Sequence, residues 1–430
     1  MNTLIQNAVI IPMTSDTHFH LTGDVGITDK IISHVGKTPE EFIPDTIIDG
    51  RGFIVMPGLV NTHNHLSMTL LRSYADDMDL FSWLQDKIWP VEAKLSTEDI
   101  YWGSMLGAAE QIRGGITSFA DMYFHQEQTI KAITQAGIRG NICATFMGDK
   151  KASEERLDVT YKLHQDFNGS ADGRISIDMA PHAIYTCTAD TLKITADLAQ
   201  ELGCRIHTHI SESVKEQKDC MEAHGMTPLA YLESLGCLEV PLYAAHGVYL
   251  TDEDITMAKR NNVHVVHNPT SNLKLGNGFA PVEKFIAAGL APALGTDGAS
   301  SNNNLNMFEE MHIASLIHKG LHGDPMMLKA HEILQMATIN GAKALGLDTI
   351  TGSLAPGKEA DLMMIDTMKP HLQPLNDPIS AVVYGAQASD VDTLFCQGKM
   401  VMQKRALLTL DEEDILKNAA RVSERLTKNQ

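Results

Sequence analysis

Apolar residues in this chain fall into short runs of two textures. At the two ends the runs are β-rich and broken by glycine turns. They are "TLIQNAVIIPM", "HFHLTGDVGITDKIISHVG" and "DTIIDGRGFIVMPG" early on, and "GSLAPGKEADLMMID" and "VDTLFCQGKMVMQKRA" near the other end. This pattern predicts one small β-sandwich built from both chain ends, with the middle of the chain inserted between its halves. In the middle, strand-like runs alternate with helical stretches such as "TLKITADLAQELG" and "PVEKFIAAG". The runs are "VMPGLVNTH", "GITSFADMY", "IRGNICATFMG", "RISIDMAPHAIY", "CRIHTHIS", "VPLYAAHG", "VHVVHNPTS" and "APALGTDGAS". Eight strands with helices between them predict an α/β fold, a (β/α)8 TIM barrel. The expected division is 1–56 and 351–406 for the two sandwich parts, 57–350 for the barrel and 407–430 for a terminal helix.

The polar residues separate a barrel from an open sheet. Catalytic groups of a TIM barrel project from the C-terminal ends of its strands. Here the strand ends carry, in order, His63 and His65, His182, His209, His246 and Asp297. Residues two apart on a strand share a face, so His63 and His65 can reach one point. Imidazole nitrogens bind zinc at about 2.0–2.1 Å, and a catalytic zinc keeps a position for water. His209 and Asp297 are the best candidates to complete three imidazoles and one carboxylate. His207 and His209 form a second H-x-H. Glu212 follows His209, so His209 is assigned to the metal and His207 to a packed, hydrogen-bonded position below it.

A divalent metal lowers the pKa of water from about 15.7 to near 7. With it, Asp297 can take the water proton, His246 can polarise the attacking oxygen, and Glu212 can pass a proton to a ring nitrogen or leaving group. That chemistry is metal-assisted hydrolysis, whether of an amide or of an aryl amine. Zinc suits three nitrogens and an oxygen, and Fe2+ or Mn2+ also fits. Ser211 and Glu216 are read as surface or capping residues, and His125, His264 and His267 as supporting or structural. Asn268 and Asn272 are read as caps of the loop after the seventh strand, and Gly276 and Gly278 as turn glycines.

Composition narrows the class. Hydrophobic residues at 43% and charged residues at 20% are those of an ordinary globular protein with a large core. The net charge of −20, with no Lys/Arg cluster, argues against a nucleic-acid partner. No run approaches about 18 consecutive apolar residues, so no membrane span is expected. "MNTLIQNAVIIPMTS" does not read as a signal peptide. Cys143, Cys187, Cys204, Cys220, Cys237 and Cys396 make no C-x-x-C pair, which predicts reduced, buried thiols in a cytoplasmic protein. A homo-oligomer is compatible with this composition. A barrel serving only as a scaffold should lack one or more ligands, and all are present.

Taken together, "PGLVNTHNH", "HTHISE", "AAHG", "HNPTSNLKLGNG" and "GTDGASSNNN" resemble the amidohydrolase superfamily. They are most similar to its 5'-methylthioadenosine/S-adenosylhomocysteine deaminase branch, in the ATZ/TRZ-type chlorohydrolase/deaminase group. The likeness runs over nearly the whole chain. It implies His63, His65, His209 and Asp297 as metal ligands and Glu212 and His246 as catalytic. It also implies a nucleoside contact by His182 and binding of ribose hydroxyls by Glu92, in "WPVEAKL". From the residues alone, Glu92 reads as a solvated position and Trp83, Leu84 and Trp89 as helix packing. The resemblance makes that segment a lid over a flat base.

Many two-metal relatives carry a bridging carboxylated lysine or glutamate at a mid-barrel strand end. The fourth run ends in Pro181-His182, which implies one metal per subunit. The implied reaction is hydrolytic deamination of the adenine amino group of S-adenosylhomocysteine, 5'-methylthioadenosine or adenosine. Guanine, cytosine and s-triazines are the alternatives. One departure concerns the substrate's tail. The family often has an arginine after the third strand, where this chain has Thr145-Phe146-Met147, with Lys150 or Lys151 as substitutes.

Overall fold

A computed structural model describes residues 1–428. Its strands are β1 (Asn2–Ile10), β2 (Leu21–Thr28), β3 (Ile31–Gly36), β4 (Thr46–Asp49), β5 (Phe53–Pro57), β6 (Leu59–Asn64), β7 (Ile116–Tyr123), β8 (Arg139–Phe146) and β9 (Ile175–Pro181). They continue as β10 (Ile206–Ile210), β11 (Leu242–His246), β12 (His264–His267), β13 (Ala293–Leu294), β14 (Leu362–Asp366), β15 (Val391–Cys396), β16 (Lys399–Gln403) and β17 (Ala406–Leu407). Strands β6 to β13 pair in sequence order, all parallel, with helices between them. The ring is drawn together where its ends meet: the Asp297 amide, just past β13, donates to the His63 carbonyl on β6 at 2.9 Å. The TIM barrel expected from the eight apolar runs is therefore present.

The barrel strands are buried on both faces, with β6, β7, β8, β10 and β11 buried at every position. Parallel strands covered by helices outside and side chains inside read as unbroken apolar runs for this reason. The intervening helices begin and end on local signals. Thr188 caps the helix Ala189–Leu202 through its side chain, and Gly203 ends it with a left-handed φ of 66°. The eighth run departs from expectation, because only Ala293 and Leu294 form regular strand. Asp297 has a φ of 61°, which turns the backbone out of the sheet and swings its carboxylate over the barrel mouth.

Strands from both chain ends form a separate mixed sheet in the order β17-β16-β15-β14-β5-β1-β2-β3, with β4 also on β1. β5 joins the halves: it pairs parallel with β1 and antiparallel with β14. The sheet is bolted to the bottom of the barrel through Arg139, which opens β8 and is 2% exposed. Its Nε donates to Asp361 Oδ2 at 2.6 Å, and Nη2 pairs with Glu359. Asp361 also accepts the Gln397 amide at 2.6 Å. Burial works against the Arg139 charge, but Asp361 and Glu359 outweigh it and hold the guanidinium pKa above its usual value.

Removing one partner of a buried ion pair strands the others. Arg139→Met is therefore expected to cost about 3–5 kcal/mol of stability, read from denaturant unfolding. Unfolding at the parent's midpoint would show that this pair does not hold the two units together.

The last helix is Glu412–Thr427, shorter than the expected 407–430 because β17 occupies its start and Asp411 caps it. Asn429 and Gln430 of the expected ragged end lie outside the described residues. The helix packs on Thr97–Arg113 through ion pairs from Glu412 to Arg113 and from Arg425 to Asp99. All six cysteines are buried and free. No helix among the described residues is long and apolar enough to cross a membrane.

Candidate metal centre and active site

The strand-end groups converge. His63 and His65 leave β6, and each places its Nε2 3.3 Å from Asp297 Oδ1. His209, on β10, brings its Nε2 to 3.3 Å from that of His65. The ligand atoms of His63, His65 and His209 lie within 4.8 Å of one another, as do those of His63, His246 and Asp297.

Hydrogen bonds behind the rings set their tautomers. His65 Nδ1 donates to the Met122 carbonyl at 2.6 Å, and His209 Nδ1 to the His182 carbonyl at 2.7 Å. His63 works through a relay. His207 Nδ1 donates to the Tyr243 carbonyl at 3.0 Å, which leaves His207 Nε2 to accept from His63 Nδ1 at 2.8 Å. All three Nε2 atoms therefore face one point. Asp297 is fixed from its other side, where Oδ2 accepts from Ser271 and Ser301 hydroxyls at 2.6 and 2.9 Å.

These groups fit a divalent metal. His63 Nε2 is fully buried with no hydrogen-bond partner, an arrangement that a ligand bond resolves. Burial pushes His209 well below the usual histidine range and His63 down to about 4, which keeps both neutral. Burial opposes a charge on His65 too, yet Asp297 lifts it to about 9. A field that draws a proton to that spot also favours a cation there.

His207→Phe removes the acceptor that orients His63. Metal affinity or activity is expected to fall about 10–100-fold, checked by metal titration of the variant. Unchanged affinity would show that the relay is only packing.

Beside the ligands stand Glu212 and His246. Glu212 follows β10, is 3% exposed, and its Oε1 accepts from Asn277 at 2.9 Å. Gly276 and Gly278, at φ of 69° and 115°, carry the turn that delivers Asn277. His246 Nε2 lies 3.7 Å from Glu212 Oε2, and its Nδ1 meets Asn272 Oδ1 at 2.8 Å. Burial raises the Glu212 pKa above the usual carboxylate range.

These groups form the floor of a pocket with about 590 Å³ of empty space, part of it open to solvent. Leu80, Trp83, Leu84, Trp89 and Glu92, from the segment after β6, line its wall. Helix packing alone does not describe these residues, because they also face the pocket. Glu92 is half-buried and accepts from the Tyr123 hydroxyl at 2.7 Å. His182 Nδ1 donates to Thr186 Oγ1 at 2.9 Å, and burial takes its pKa down to about 3.

Several expectations are corrected. Ser211 and Glu216 are 0% and 2% exposed, so neither is a surface residue. Glu216 accepts the amides of Ser211 and Glu212 at 3.0 and 2.7 Å and so clamps the turn that presents Glu212. Asn268 and Asn272 do more than cap a loop, since they hold the amide and ring of His246. Lys150 and Lys151 are exposed and absent from the pocket wall, and each faces a glutamate one turn along at 3.8 Å. His125 is exposed and starts a helix at a φ of 51°. Tyr123, Ser271, Ser301 and Asn277 join the site without having been singled out. Only Tyr123, which ends the run "DMY", carried a strand-end signal.

The amidohydrolase family profile matches residues 54–401. A 5-methylthioadenosine/S-adenosylhomocysteine deaminase of Caldanaerobacter subterraneus subsp. tengcongensis is 47% identical over 417 residues, 96% of each chain. Its counterpart in Acetivibrio thermocellus is 45% identical, covering 99% of this chain and 100% of its own. Among solved structures, a zinc-bound adenosine deaminase from Xanthomonas campestris superposes with a TM-score of 0.95 at 34% identity. That match covers 99% of this chain and 98% of the other. Atrazine chlorohydrolase from Arthrobacter aurescens TC1, complexed with zinc, gives 0.90 at 25% identity, covering 98% and 100%.

Proposed function

Because the chain belongs to the amidohydrolase family, we propose that it is a metal-dependent deaminase of adenine nucleosides. It replaces the adenine amino group of 5'-methylthioadenosine, adenosine or S-adenosylhomocysteine with oxygen and releases ammonia. One observation carries the reading: three imidazoles and Asp297 converge beside Glu212 and His246 on the floor of a covered pocket. Relatives of known name and nearly equal length support the substrate class.

His63, His65, His209 and Asp297 would hold one divalent ion, and the donor set and the zinc-bound neighbours favour zinc. When bound, the ion supplies Lewis-acid activation of water at neutral pH. The chain's own groups do the rest. Asp297, anchored by two hydroxyls, takes the proton of the attacking water. His246, with its Nδ1 on Asn272, holds the attacking oxygen through Nε2. Glu212 donates to the purine ring nitrogen as the ring carbon becomes tetrahedral. Asp297 then passes its proton to the amino group, the C–N bond breaks with release of ammonia, and the hydroxyl proton returns to Glu212 as the carbonyl forms. Trp83 and Leu84 exclude water above the base. Glu92 accepts from the ribose hydroxyls, and His182, with Nδ1 engaged by Thr186, turns Nε2 to the nucleoside. The six reduced thiols fit a cytoplasmic setting.

Thr145 and Met147 line the side of the pocket where the family often has arginine, and no lining residue among those described is Lys or Arg. An uncharged thioether tail suits that wall better than a zwitterionic one. The zinc-loaded protein is expected to release ammonia and blue-shift the absorbance of all three nucleosides, with kcat/KM higher for 5'-methylthioadenosine than for S-adenosylhomocysteine. Turnover of guanine, cytosine or an s-triazine with none of any adenosine would overturn the substrate class. A reversed order would overturn the account of the tail.

A further inference from the structure

The outer helices carry a second group of metal-type side chains, separate from the ligands at the barrel mouth, with the His318 ring centroid 5.5 Å from that of His267. Glu283 stands on the helix Val282–Ala287, and His318 and His322 lie on the helix Met307–His322. Four residues apart, the two imidazoles share one face of their helix. His318 Nδ1 is 3.5 Å and His322 Nε2 3.4 Å from the same atom, Glu283 Oε2. Neither contact is a hydrogen bond, because Glu283 Oε2 and both ring nitrogens of His318 are buried without a hydrogen-bond partner. The His318 side chain is 1% exposed, so water does not satisfy it.

These distances have a simple geometric meaning. Hydrogen bonds from nitrogen to oxygen fall at about 2.7–3.2 Å. The edge of a tetrahedron around zinc, with bonds near 2.0–2.1 Å, is about 3.3–3.4 Å. The ligand atoms of Glu283, His318 and His322 all lie within 4.8 Å of one another.

We propose that Glu283, His318 and His322 form a second divalent-metal site, of the zinc type, on the outer surface of the barrel. Two imidazoles and one carboxylate select a borderline ion such as zinc over magnesium or calcium. His322, with a side chain 30% exposed, leaves the fourth position to solvent. Glu283 also lines a surface cleft with Met326, Met327 and Glu332, through which an ion can arrive. Neighbouring lysines do not compete for the carboxylate: Lys284 is held by Asp252 at 2.7 Å, and Lys319 by the Leu328 carbonyl at 2.8 Å.

The site clamps the helix after the seventh strand to the helix after the eighth. That second helix also carries Glu310, which accepts the Thr270 amide at 3.2 Å and the Asn302 side chain at 2.7 Å. The short helix Pro269–Lys274 and the turn around Asn302 place Ser271 and Ser301 on Asp297. The outer ion is therefore structural: it joins two outer helices and takes no part in the reaction.

The test uses the full chain, stripped with a chelator and dialysed against zinc alone. Metal analysis is expected to give two equivalents per chain in the parent and one each in H322Q and E283Q, both with parental kcat/KM. H63A, which disables the barrel centre, should keep one equivalent, and H63A/H322Q none. Zinc should raise the Tm of H63A but not that of H63A/H322Q. The proposal is overturned if the parent binds a single equivalent, or if H322Q and E283Q both retain the parent's zinc. Since the readings on the H63A background do not depend on turnover, they stand apart from the outcome of the deaminase assay.

Discussion

Replacing His63 with alanine is expected to remove one equivalent of bound metal per chain and to lower kcat/KM by about 1000-fold or more, the scale of several kcal/mol lost from a Lewis-acid site. The reason lies in how the ring is held. His63 Nε2 is buried without a hydrogen-bond partner, and its Nδ1 is engaged by His207 at 2.8 Å. Alanine removes one of three converging imidazoles, and His65 and His209 already point to the same place. Metal analysis and ammonia release are read on the same preparation. Activity that survives with the metal content of the parent would place the reactive centre elsewhere in the pocket.

That expectation was open to sequence reasoning because a strand imposes a period of two. His63 and His65 announce their shared face from spacing alone, and His209, His246 and Asp297 stand at the same ends of other apolar runs. The barrel was legible for the same reason, since parallel strands buried on both faces leave unbroken apolar stretches between helical ones. The assignment of His207 below the metal rests instead on Glu212 following His209, since strand alternation alone puts both rings on one face; its link to His63 crosses 144 positions of sequence.

Contacts of that reach mark what was not legible. Glu216 reads as a surface or capping residue, and although the amides it accepts are only four and five residues away, only the fold shows that it is buried under the Glu212 turn. Asn272 and Asn277 look like loop residues because nothing local points them at His246 and Glu212. Lys150 and Lys151 look available to a substrate until the helix that carries them turns them outward. The lid residues Trp83 and Trp89 show the same limit. Apolar residues at helical spacing have one pattern whether they pack on protein or on a ligand.

Glu212→Gln is expected to lower kcat by about 10²–10⁴-fold, the usual worth of a positioned proton carrier, with metal content and Tm at the parent's level. Glutamine keeps the volume and, through its carbonyl oxygen, the hydrogen bond from Asn277. What it loses is the capacity to exchange a proton. Glu212 is suited to that exchange because burial raises its pKa, which favours the protonated form that donates. Its position is also protected, since Glu216 fixes its backbone amide at 2.7 Å and Asn277 holds its Oε1 at 2.9 Å. KM should move little, because the ribose and base contacts assigned to Glu92, His182 and Trp83 are untouched. Two readouts separate proton transfer from positioning. A variant that merely mispositioned the site would lose metal or raise KM, whereas loss of the proton carrier lowers kcat alone. If Glu212→Gln turned over at the parental rate, the proton would have to travel through His246, whose Nε2 is 3.7 Å from Glu212 Oε2. His246→Gln would then show the larger loss of the two.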